Sequence, residues 1–444
     1  MSIEVLVPKY YSEYVDYVNT RKMIPNMIDG LLPVQKRILL TLHTIAKNKY
    51  EKTAKVTGEC MANWHPHSPA DGTCAWAVHN GFADGDGQWG SKFGIEESKP
   101  AASRYTKIKA NNFIEEMAFK YINYVPWRAD ELDPEPVVIP TMIPFCLFTK
   151  YETNTIASGF KVSIPNFKFS DLVDRLFDLL DKKTPRIIYP NIIGCKILST
   201  NDEINKILTK GKGTITVQGL FKKDPTTSSV EILGWAPRCS FEVIRNKINS
   251  YKSYKLFDNN EIGFRDLSTT QTKVRIEVNR TRNKEETYKR LCEAVENALT
   301  TQLKYEIFVV DVHGKVVRSS VDNMLLNTYK FYKLVLKRYF LESIKELDKR
   351  IEEYDIIIKI REYLSDLIKK FQNDSERIID ELVKITGIEK YKIKEVMNKY
   401  KINKVLSVKL DKNELELEKK QMGSNLQNIE KYAKGEYENV RKKA

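Results

Sequence analysis

The feature that most constrains the fold is a heptad pattern in the last quarter of the sequence. From about residue 329 the chain is highly charged, and its apolar residues recur at alternating steps of three and four. A first series comprises Ile344, Leu347, Ile351, Tyr354 and Ile358, and a second, displaced by one position, comprises Ile357, Ile360, Leu364, Leu367 and Phe371. This spacing predicts an apolar seam along one long helix.

A second long helix is predicted at about 413–440, with apolar residues at Met422, Leu426, Ile429 and Ala433. Between the two helices, 378–410 is a short helical stretch rich in Ile, Val and Tyr. We therefore expect an antiparallel coiled-coil stalk with a small helical head. An ordinary helical bundle is the alternative that the same pattern allows.

The middle of the chain, about 155–330, contains two kinds of pattern. Short β-branched runs at 213–217, 273–278 and 307–310 predict strands. Amphipathic stretches predict helices at 171–181, 241–251 and 285–303. This mixture indicates an α+β fold.

The N-terminal part is predicted to form helices followed by a glycine-rich loop. Tyrosines at helical spacing indicate a helical arm within 1–30, which ends before Pro25. An amphipathic helix over 31–46 follows, and Lys36 and Arg37 project from a face other than its apolar one. Two shorter helices are predicted within 58–80, before the glycine-rich stretch 84–91. Helix–turn–helix followed by such a loop is compatible with DNA binding.

Composition limits the class of protein. The chain has 444 residues, room for roughly three domains, and 42% of them are hydrophobic, which excludes a wholly disordered chain. The formal net charge of +14 favours a polyanionic partner, whether DNA, RNA or a membrane surface. No apolar stretch is long enough to span a membrane, and no signal peptide is recognisable, so we expect a cytoplasmic protein that does not span a membrane.

Four residues first suggest a metal site: Cys60, His65, His67 and Cys74. Their spacing does not follow the paired ligands of structural zinc. The aspartates of the glycine-rich stretch also lack the remaining ligands of a calcium loop. We therefore predict no metal on this chain.

Tyr105, which follows Arg104, allows two interpretations. It can be a packing residue near a basic surface. It can instead be a nucleophile, in which case its phenol, with an ordinary pKa near 10, needs help from nearby groups. Arg104 would stabilise charge on a phosphate oxygen, and the two histidines could move protons or donate hydrogen bonds.

Six sequence elements, taken in order, resemble those of one family. Residues 29–37 resemble the DG-x-x-PVxxR stretch, 65–67 the HPHG element and 84–91 the DGQGNFGS element of the DNA-cleavage subunit of type IIA topoisomerases. Residues 101–106 resemble the AAxRYT signature around its catalytic tyrosine, and 139–144 and 155–160 resemble the IPTxIP and GIAVGM segments. The motifs are those of gyrase A and ParC, and the layout is similar to that of the medium subunit of T-even-like phage topoisomerases.

The resemblance implies an α+β multidomain chain. Residues 1–30 would form the N-terminal helical arm, and 31–150 a winged-helix (helix–turn–helix) cleavage domain with the catalytic tyrosine. Residues 151–328 would form an α/β tower domain. Residues 329–444 would form the long antiparallel coiled coil, with the dimerisation head near 378–410.

The resemblance also implies roles for single residues. Tyr105 would attack a DNA phosphodiester and become linked to the 5′ phosphate, while Arg104 and His67 stabilise the pentacovalent phosphate. Lys22 stands where the family has an arginine, and whether Lys22 or the adjacent Arg21 takes that role is open. The DNA-binding residues would be Lys36, Arg37, His65, Ser91 and Ile156. Ile156 would be a wedge that enters a base step, although without the resemblance it would be taken for a core strand residue.

Mg²⁺ and ATP are expected on a partner subunit that carries the TOPRIM and ATPase domains. The cleavage subunit would form a homodimer through the head, and its two tyrosines would cut opposite strands of double-stranded DNA in the nucleoid. The strongest rival is a non-catalytic DNA-bridging coiled-coil protein, and a third hypothesis is an RNA-binding scaffold. Both hypotheses would explain the basic charge by binding to nucleic acid alone, without a catalytic reaction.

Overall fold

A computed structural model describes residues 3–65, 70–129, 133–279, 283–372, 374–400, 405–406 and 411–444. The chain divides into two compact units. The first comprises Met1–Tyr332 and Tyr437–Ala444, and the second comprises Lys333–Glu436. The mixed helix and sheet content fits the predicted α+β class.

The first unit begins with helices that surround a small sheet. Its elements in chain order are α1 (Ile3–Val18), a π-helical turn (Asn19–Met23), α2 (Pro33–Ile45), β1 (Glu51–Lys52), α3 (Thr53–Asn63), α4 (Asp71–His79), β2 (Ala83–Asp86) and β3 (Lys107–Ala110). The three strands form an antiparallel sheet in the order β1-β3-β2. The observed α2, α3 and α4 confirm the three predicted helices, although α3 begins at Thr53, before the range 58–80 that was predicted for the two shorter ones.

Short elements connect this region to two larger sheets. They are α5 (Asn112–Ile114), a π-helical turn (Glu115–Phe119), β4 (Trp127–Arg128), β5 (Glu135–Pro136) and the 3₁₀ turns Ile122–Tyr124 and Phe145–Leu147. A further 3₁₀ turn, Tyr251–Ser253, lies later in the chain, among the elements of the larger sheets. Asp29 is buried here and accepts hydrogen bonds from the amides of Leu31 and Ile139. Burial raises the pKa of this carboxyl to about 6. The DG motif therefore joins the start of α2 to the segment before Phe145.

The five-stranded sheet has the order β6-β7-β14-β9-β8, and the four-stranded sheet has the order β10-β11-β13-β12. Their strands are β6 (Thr153–Ala157), β7 (Phe160–Ile164), β8 (Cys195–Ile197), β9 (Lys212–Gly219), β10 (Phe221–Asp224), β11 (Ser229–Ile232), β12 (Ile262–Asp266), β13 (Val274–Val278) and β14 (Thr300–Glu306). A two-stranded ladder joins β15 (Phe308–Val310) to β16 (Val316–Arg318). The accompanying helices are α6 (Phe169–Leu180), α7 (Asn201–Lys210), α8 (Phe241–Ser250) and α9 (Lys284–Leu299).

The strands and helices predicted in this region are confirmed, with one correction. The helix predicted over 285–303 ends at Leu299, and Leu303 lies in β14. The β-branched pair Thr300 and Thr301 begins the strand and pairs with Gln218 and Val217 of β9. Pairing with a neighbouring strand therefore overrides the helical spacing of the apolar residues.

The second unit is helical. It contains the larger part of α10 (Val321–Phe371) and all of α11 (Ser375–Thr386), α12 (Lys390–Tyr400) and α13 (Lys412–Gln427), together with the first part of α14 (Ile429–Arg441). Its core contains the second predicted apolar series, in which Ile357, Ile360, Leu364 and Leu367 are buried and Phe371 packs against them.

Two details of the sequence prediction are wrong. Ile358, the last residue of the first series, is 43% exposed, whereas its neighbour Ile357 is fully buried. Adjacent residues of a helix lie about 100° apart, so both cannot face one core. The single helix predicted over 413–440 is interrupted at Asn428, which separates α13 from α14. In the described part of the chain, no helix combines the length and the apolar character needed to cross a membrane.

Candidate active site

Tyr105 lies on an exposed turn between the glycine-rich stretch and β3. Its side chain is 68% exposed, so it is not a packing residue. The guanidinium carbon of Arg104 lies 4.6 Å from the centre of the Tyr105 ring, in a cation–π contact. The turn therefore presents a phenol and a permanent cation together at the surface.

The first residues of α3 fix the backbone of this turn. The amide of Thr53 donates to the carbonyl of Thr106, and the amide of Ala54 donates to the carbonyl of Ser103. The buried hydroxyls of Thr53 and Thr106 lie 2.8 Å apart and form a further hydrogen bond. These bonds hold the main chain on both sides of Tyr105, so the backbone of the turn is anchored to a helix.

The glycine-rich stretch 84–91 packs against the same turn. Gly87 has a φ of +96°, and a Cβ there would lie 3.1 Å from the carbonyl oxygen of Tyr105. A Cβ on Gly90 would lie 2.3 Å from the carbonyl oxygen of Ser98. Ser91 pairs with Ser98 through both backbone amides and through their hydroxyls, 3.0 Å apart. A side chain at either glycine would therefore crowd a neighbouring backbone carbonyl, which favours glycine at both positions.

A cluster of charged residues, formed by Lys36, Arg37, Arg128 and Glu135, lies at the start of α2. Both carboxylate oxygens of Glu135 accept from Arg37, each at 3.0 Å. Arg128 donates to Glu135 at 3.1 Å, and the ammonium of Lys36 lies 3.4 Å from it. Burial would raise the pKa of Glu135, but hydrogen bonds from Arg37 and the charge of Lys36 lower it to about 2.

Lys36, which was predicted to project from a face other than the apolar one and to bind DNA, does not lie at the surface. Lys36 is only 5% exposed, and its ammonium donates to the carbonyl of Pro136 at 2.8 Å. Burial lowers the pKa of Lys36 although the neighbouring Glu135 favours its charge. The side chain of Lys36 points into the interior, because Glu135 and two backbone carbonyl groups attract its ammonium. Lys36 is therefore left out of the proposed DNA-binding surface.

Arg37 is mostly buried as well, and it connects the cluster to His65. Its Nη1 lies 3.2 Å from Nδ1 of His65. A guanidinium can only donate, so Nδ1 accepts and the proton of the neutral ring lies on Nε2, which makes Nε2 a donor. His67, predicted to stabilise the phosphate, lies outside the described residues.

Lys22 and Ile156 lie on two segments that are joined by a buried amide. The carboxamide of Asn19 donates to the carbonyl of Ser158 and accepts from its amide, both at 3.0 Å. Asn19 begins the π-helical turn that carries Lys22, whose ammonium lies 5.8 Å from the centre of the Tyr17 ring. Ser158 is at the tip of the β6–β7 hairpin, where Ile156 is 80% exposed. This exposure excludes the interpretation of Ile156 as a core residue.

Six of the nine predicted site residues therefore fall into three pairs. Arg104 contacts Tyr105, Arg37 contacts His65, and Asn19 connects the segments of Lys22 and Ile156. Sequence reasoning missed Glu135 and Asn19. Glu135 is one of four acidic residues within 130–135, and nothing in the sequence distinguishes it from the others. Asn19 had no signal beyond its place after a helix.

Cys60 and Cys74, the two cysteines of the candidate metal site, are both buried thiols. Burial raises the pKa of Cys60 to about 11 and raises the pKa of Cys74 further. A metal-binding cysteine must be a thiolate, which this environment disfavours. Among the described residues, no group of three or more His, Cys, Asp and Glu side chains could hold a metal ion.

Comparison with known proteins connects this geometry to one family. The family model for the A subunit of DNA gyrase/topoisomerase IV matches residues 22–443. The A subunit of DNA topoisomerase 4 from Bacillus subtilis is 25% identical over 407 residues, which cover 85% of this chain and 49% of that protein. The corresponding A subunit from Haemophilus influenzae is 28% identical over 250 residues, which cover 50% of this chain and 32% of that protein.

A third relative, the A subunit of DNA topoisomerase 4 from Streptococcus pneumoniae, is 25% identical over 242 residues, which cover 49% of this chain and 28% of that protein. The chain thus spans at most about half the length of these curated relatives. The match to the family model, in contrast, covers almost all of the chain. The chain therefore belongs to the family of DNA gyrase/topoisomerase IV A subunits.

Proposed function

We propose that this chain is the DNA-breakage-reunion subunit of a type II DNA topoisomerase, an isomerase. The phenolic oxygen of Tyr105 forms a bond to the phosphorus of a DNA phosphodiester while the bond from that phosphorus to the 3′ oxygen breaks. The phenol loses its proton and the 3′ oxygen gains one. The cleaved strand then has a free 3′ hydroxyl and a 5′ phosphate esterified to the tyrosine. The reverse reaction reseals the strand after a second duplex has passed.

The observation that carries the proposal is the surface turn that holds Tyr105 and Arg104 together. A nucleophile must reach a phosphate on the backbone of a wide duplex, and Tyr105 is exposed enough to do so. Arg104 lies against the ring and can stabilise charge on a phosphate oxygen. We assign His67 and Lys22 as further cations of this site, as the resemblance implies.

The arrangement of the N-terminal region supports a winged-helix cleavage domain within 31–150. The elements follow the order α2, β1, α3, α4, β2, β3, and the segment between β2 and β3 carries Tyr105. A helix–turn–helix of this kind places one helix against DNA and a β-ribbon beside it. The tower domain over 151–328 and the coiled coil with its head near 378–410 are part of the same proposal.

The DNA-binding surface would include His65, Ser91 and Ile156, and Arg37 would support it from within by contacting Nδ1 of His65. The Nε2 of His65 is a donor, as a phosphate contact requires. Ile156 is exposed in the manner of an apolar wedge that unstacks a base step. The chain would act as a homodimer in the cytoplasm, associated with the nucleoid and with an ATPase/TOPRIM partner subunit. Mg²⁺ and ATP would bind to that partner, where the metal neutralises charge around the transferring phosphate.

Covalent trapping tests the proposal. The chain is mixed with the partner subunit, Mg²⁺ and plasmid, the mixture is denatured, and protein attached to DNA ends is measured. We expect attachment to 5′ ends for the natural chain and its loss in Tyr105→Phe. Tyr11→Phe is the matched control, because Tyr11 is also exposed, at 66%, and lies on α1.

DNA binding without attachment in the natural chain would contradict the proposal and support a non-catalytic DNA-bridging protein. Attachment that survives in Tyr105→Phe would contradict the assignment of the nucleophile. Equal loss of attachment in Tyr11→Phe would show that removal of any exposed hydroxyl disturbs the assay.

A further inference from the structure

The β6–β7 hairpin places a lysine beside the exposed isoleucine. Ile156 lies directly opposite Lys161 in the antiparallel ladder, and both side chains are exposed. Residues directly opposite each other point to the same face of a sheet, with Cβ atoms about 5 Å apart. The hairpin therefore presents an apolar side chain and a cation next to each other.

The charge of Lys161 is not used within the protein. Over the ranges that the structure describes, Lys161 forms no ion pair. The acids of the neighbouring strands are already bound, since Glu306 pairs with Arg318 at 2.6 Å and Glu152 pairs with Arg238 at 2.5 Å. An exposed ammonium without a protein partner is available to a phosphate.

The backbone of the hairpin is anchored, so the Cα positions of Ile156 and Lys161 are fixed relative to each other. Its tip is clamped by the two hydrogen bonds between Asn19 and Ser158. Asn19 is only 1% exposed, so its carboxamide is held in place by the surrounding residues. Gly159, which follows Ser158 at the tip, has a φ of +80°, and this conformation allows the tight turn between the two strands.

We propose that Lys161 binds a DNA phosphate next to the base step that Ile156 enters. Unstacking a step costs a few kcal/mol, and a backbone contact beside the wedge keeps the bent duplex against the hairpin. The isoleucine would supply the deformation, and the lysine would supply the electrostatic attraction. This inference rests on the proposed function, because it requires that the hairpin meets double-stranded DNA.

The test uses the full chain and a short duplex of about 30 bp, a length over which bending is measurable. Affinity is measured at several salt concentrations, and the bend is measured by energy transfer between dyes at the duplex ends. The variants are Lys161→Gln, Ile156→Ala and the control Lys196→Gln. Lys196 is exposed on β8, at the other edge of the same sheet, and its loss changes the charge equally.

The two hairpin variants should affect different quantities. Lys161→Gln should reduce the slope of log affinity against log salt by about 0.9 for each Lys161 that contacts the duplex. It should also weaken binding at low salt. Ile156→Ala should reduce the bend and leave the salt slope unchanged, because it removes no charge. Lys196→Gln should leave both quantities unchanged.

A salt slope for Lys161→Gln equal to that of Lys196→Gln would overturn the inference. If the natural chain binds and bends the duplex in that experiment, the proposed function survives and only the role of Lys161 is lost. If the natural chain neither binds nor bends DNA, the proposed function itself fails.

Discussion

Replacing Glu135 with glutamine should destabilise the first unit strongly. The carboxylate is surrounded by Lys36, Arg37 and Arg128, with donor–acceptor distances of 3.0 to 3.4 Å. Glutamine keeps the shape of the side chain and removes its charge. Lys36 and most of Arg37 then remain buried without a counter-charge. Removing one partner of a buried ion pair in this way lowers stability strongly, because the remaining charge is uncompensated.

The magnitude follows from the pKa of Glu135. A value of about 2 in place of the ordinary 4.5 corresponds to about 3 kcal/mol of stabilisation of the carboxylate, at about 1.4 kcal/mol for each tenfold change in proton affinity. The range expected when one partner of a buried ion pair is removed, about 3–5 kcal/mol, agrees. Glu135 is nearly fully buried, so screening by solvent reduces this figure little.

Urea unfolding followed by tryptophan fluorescence measures the loss. All five tryptophans lie in the first unit, and the indole of Trp64 donates to the carbonyl of Pro134, next to Glu135. The control is Glu97→Gln, which breaks an exposed pair with Lys92 and should change the free energy of unfolding by less than about 1 kcal/mol. Adding Lys36→Met to Glu135→Gln should recover part of the loss, because the unpaired ammonium is then absent.

The effect should also depend on pH. The folded pKa of Glu135 lies below its unfolded value, so its stabilisation is complete above about pH 4.5 and declines as the pH falls toward 2. The difference between natural chain and Glu135→Gln should therefore shrink from about 3 kcal/mol at pH 7 to about 1.4 kcal/mol at pH 3. A difference below about 1 kcal/mol at pH 7, or one that does not change with pH, would refute the reasoning.

Three further outcomes are expected. Gly211→Ala should reduce stability by more than about 3 kcal/mol in the same unfolding assay, because a Cβ there would lie 1.6 Å from the carbonyl oxygen of Ser319 at a φ of +67°. Asn19→Ala should reduce DNA bending about as much as Ile156→Ala, because it releases the hairpin tip, and unchanged bending would contradict the clamp. Thr53→Val should slow covalent attachment more than it weakens DNA binding, because it loosens the Tyr105 turn; equal effects in the trapping and binding assays would contradict that role.

The elements with strong local patterns could be predicted from the sequence. The amphipathic helix expected over 31–46 is observed at Pro33–Ile45, and the strand expected over 273–278 is observed at Val274–Val278. Their apolar spacing and β-branched residues decide the structure locally. In contrast, Leu303 continued a helical spacing but belongs to β14, because pairing with β9 decides its state.

The errors in the site have a common cause. Lys36 was expected at the surface because it lies off the apolar face of its helix, but Glu135 and the carbonyl of Pro136, about one hundred positions later, attract its ammonium inward. The periodicity of one helix cannot reveal a partner so distant in sequence. The exposure of Tyr105 and Ile156 was likewise decided by the fold.

The most direct test of the central proposal is to identify the residue that carries the DNA. The covalent complex is trapped, digested with nuclease and protease, and the remaining nucleotide is located by mass spectrometry. We expect a single adduct on the oxygen of Tyr105, joined through a phosphate to the 5′ position of the nucleotide. An adduct on any other residue, or a 3′ linkage, would contradict the proposed chemistry.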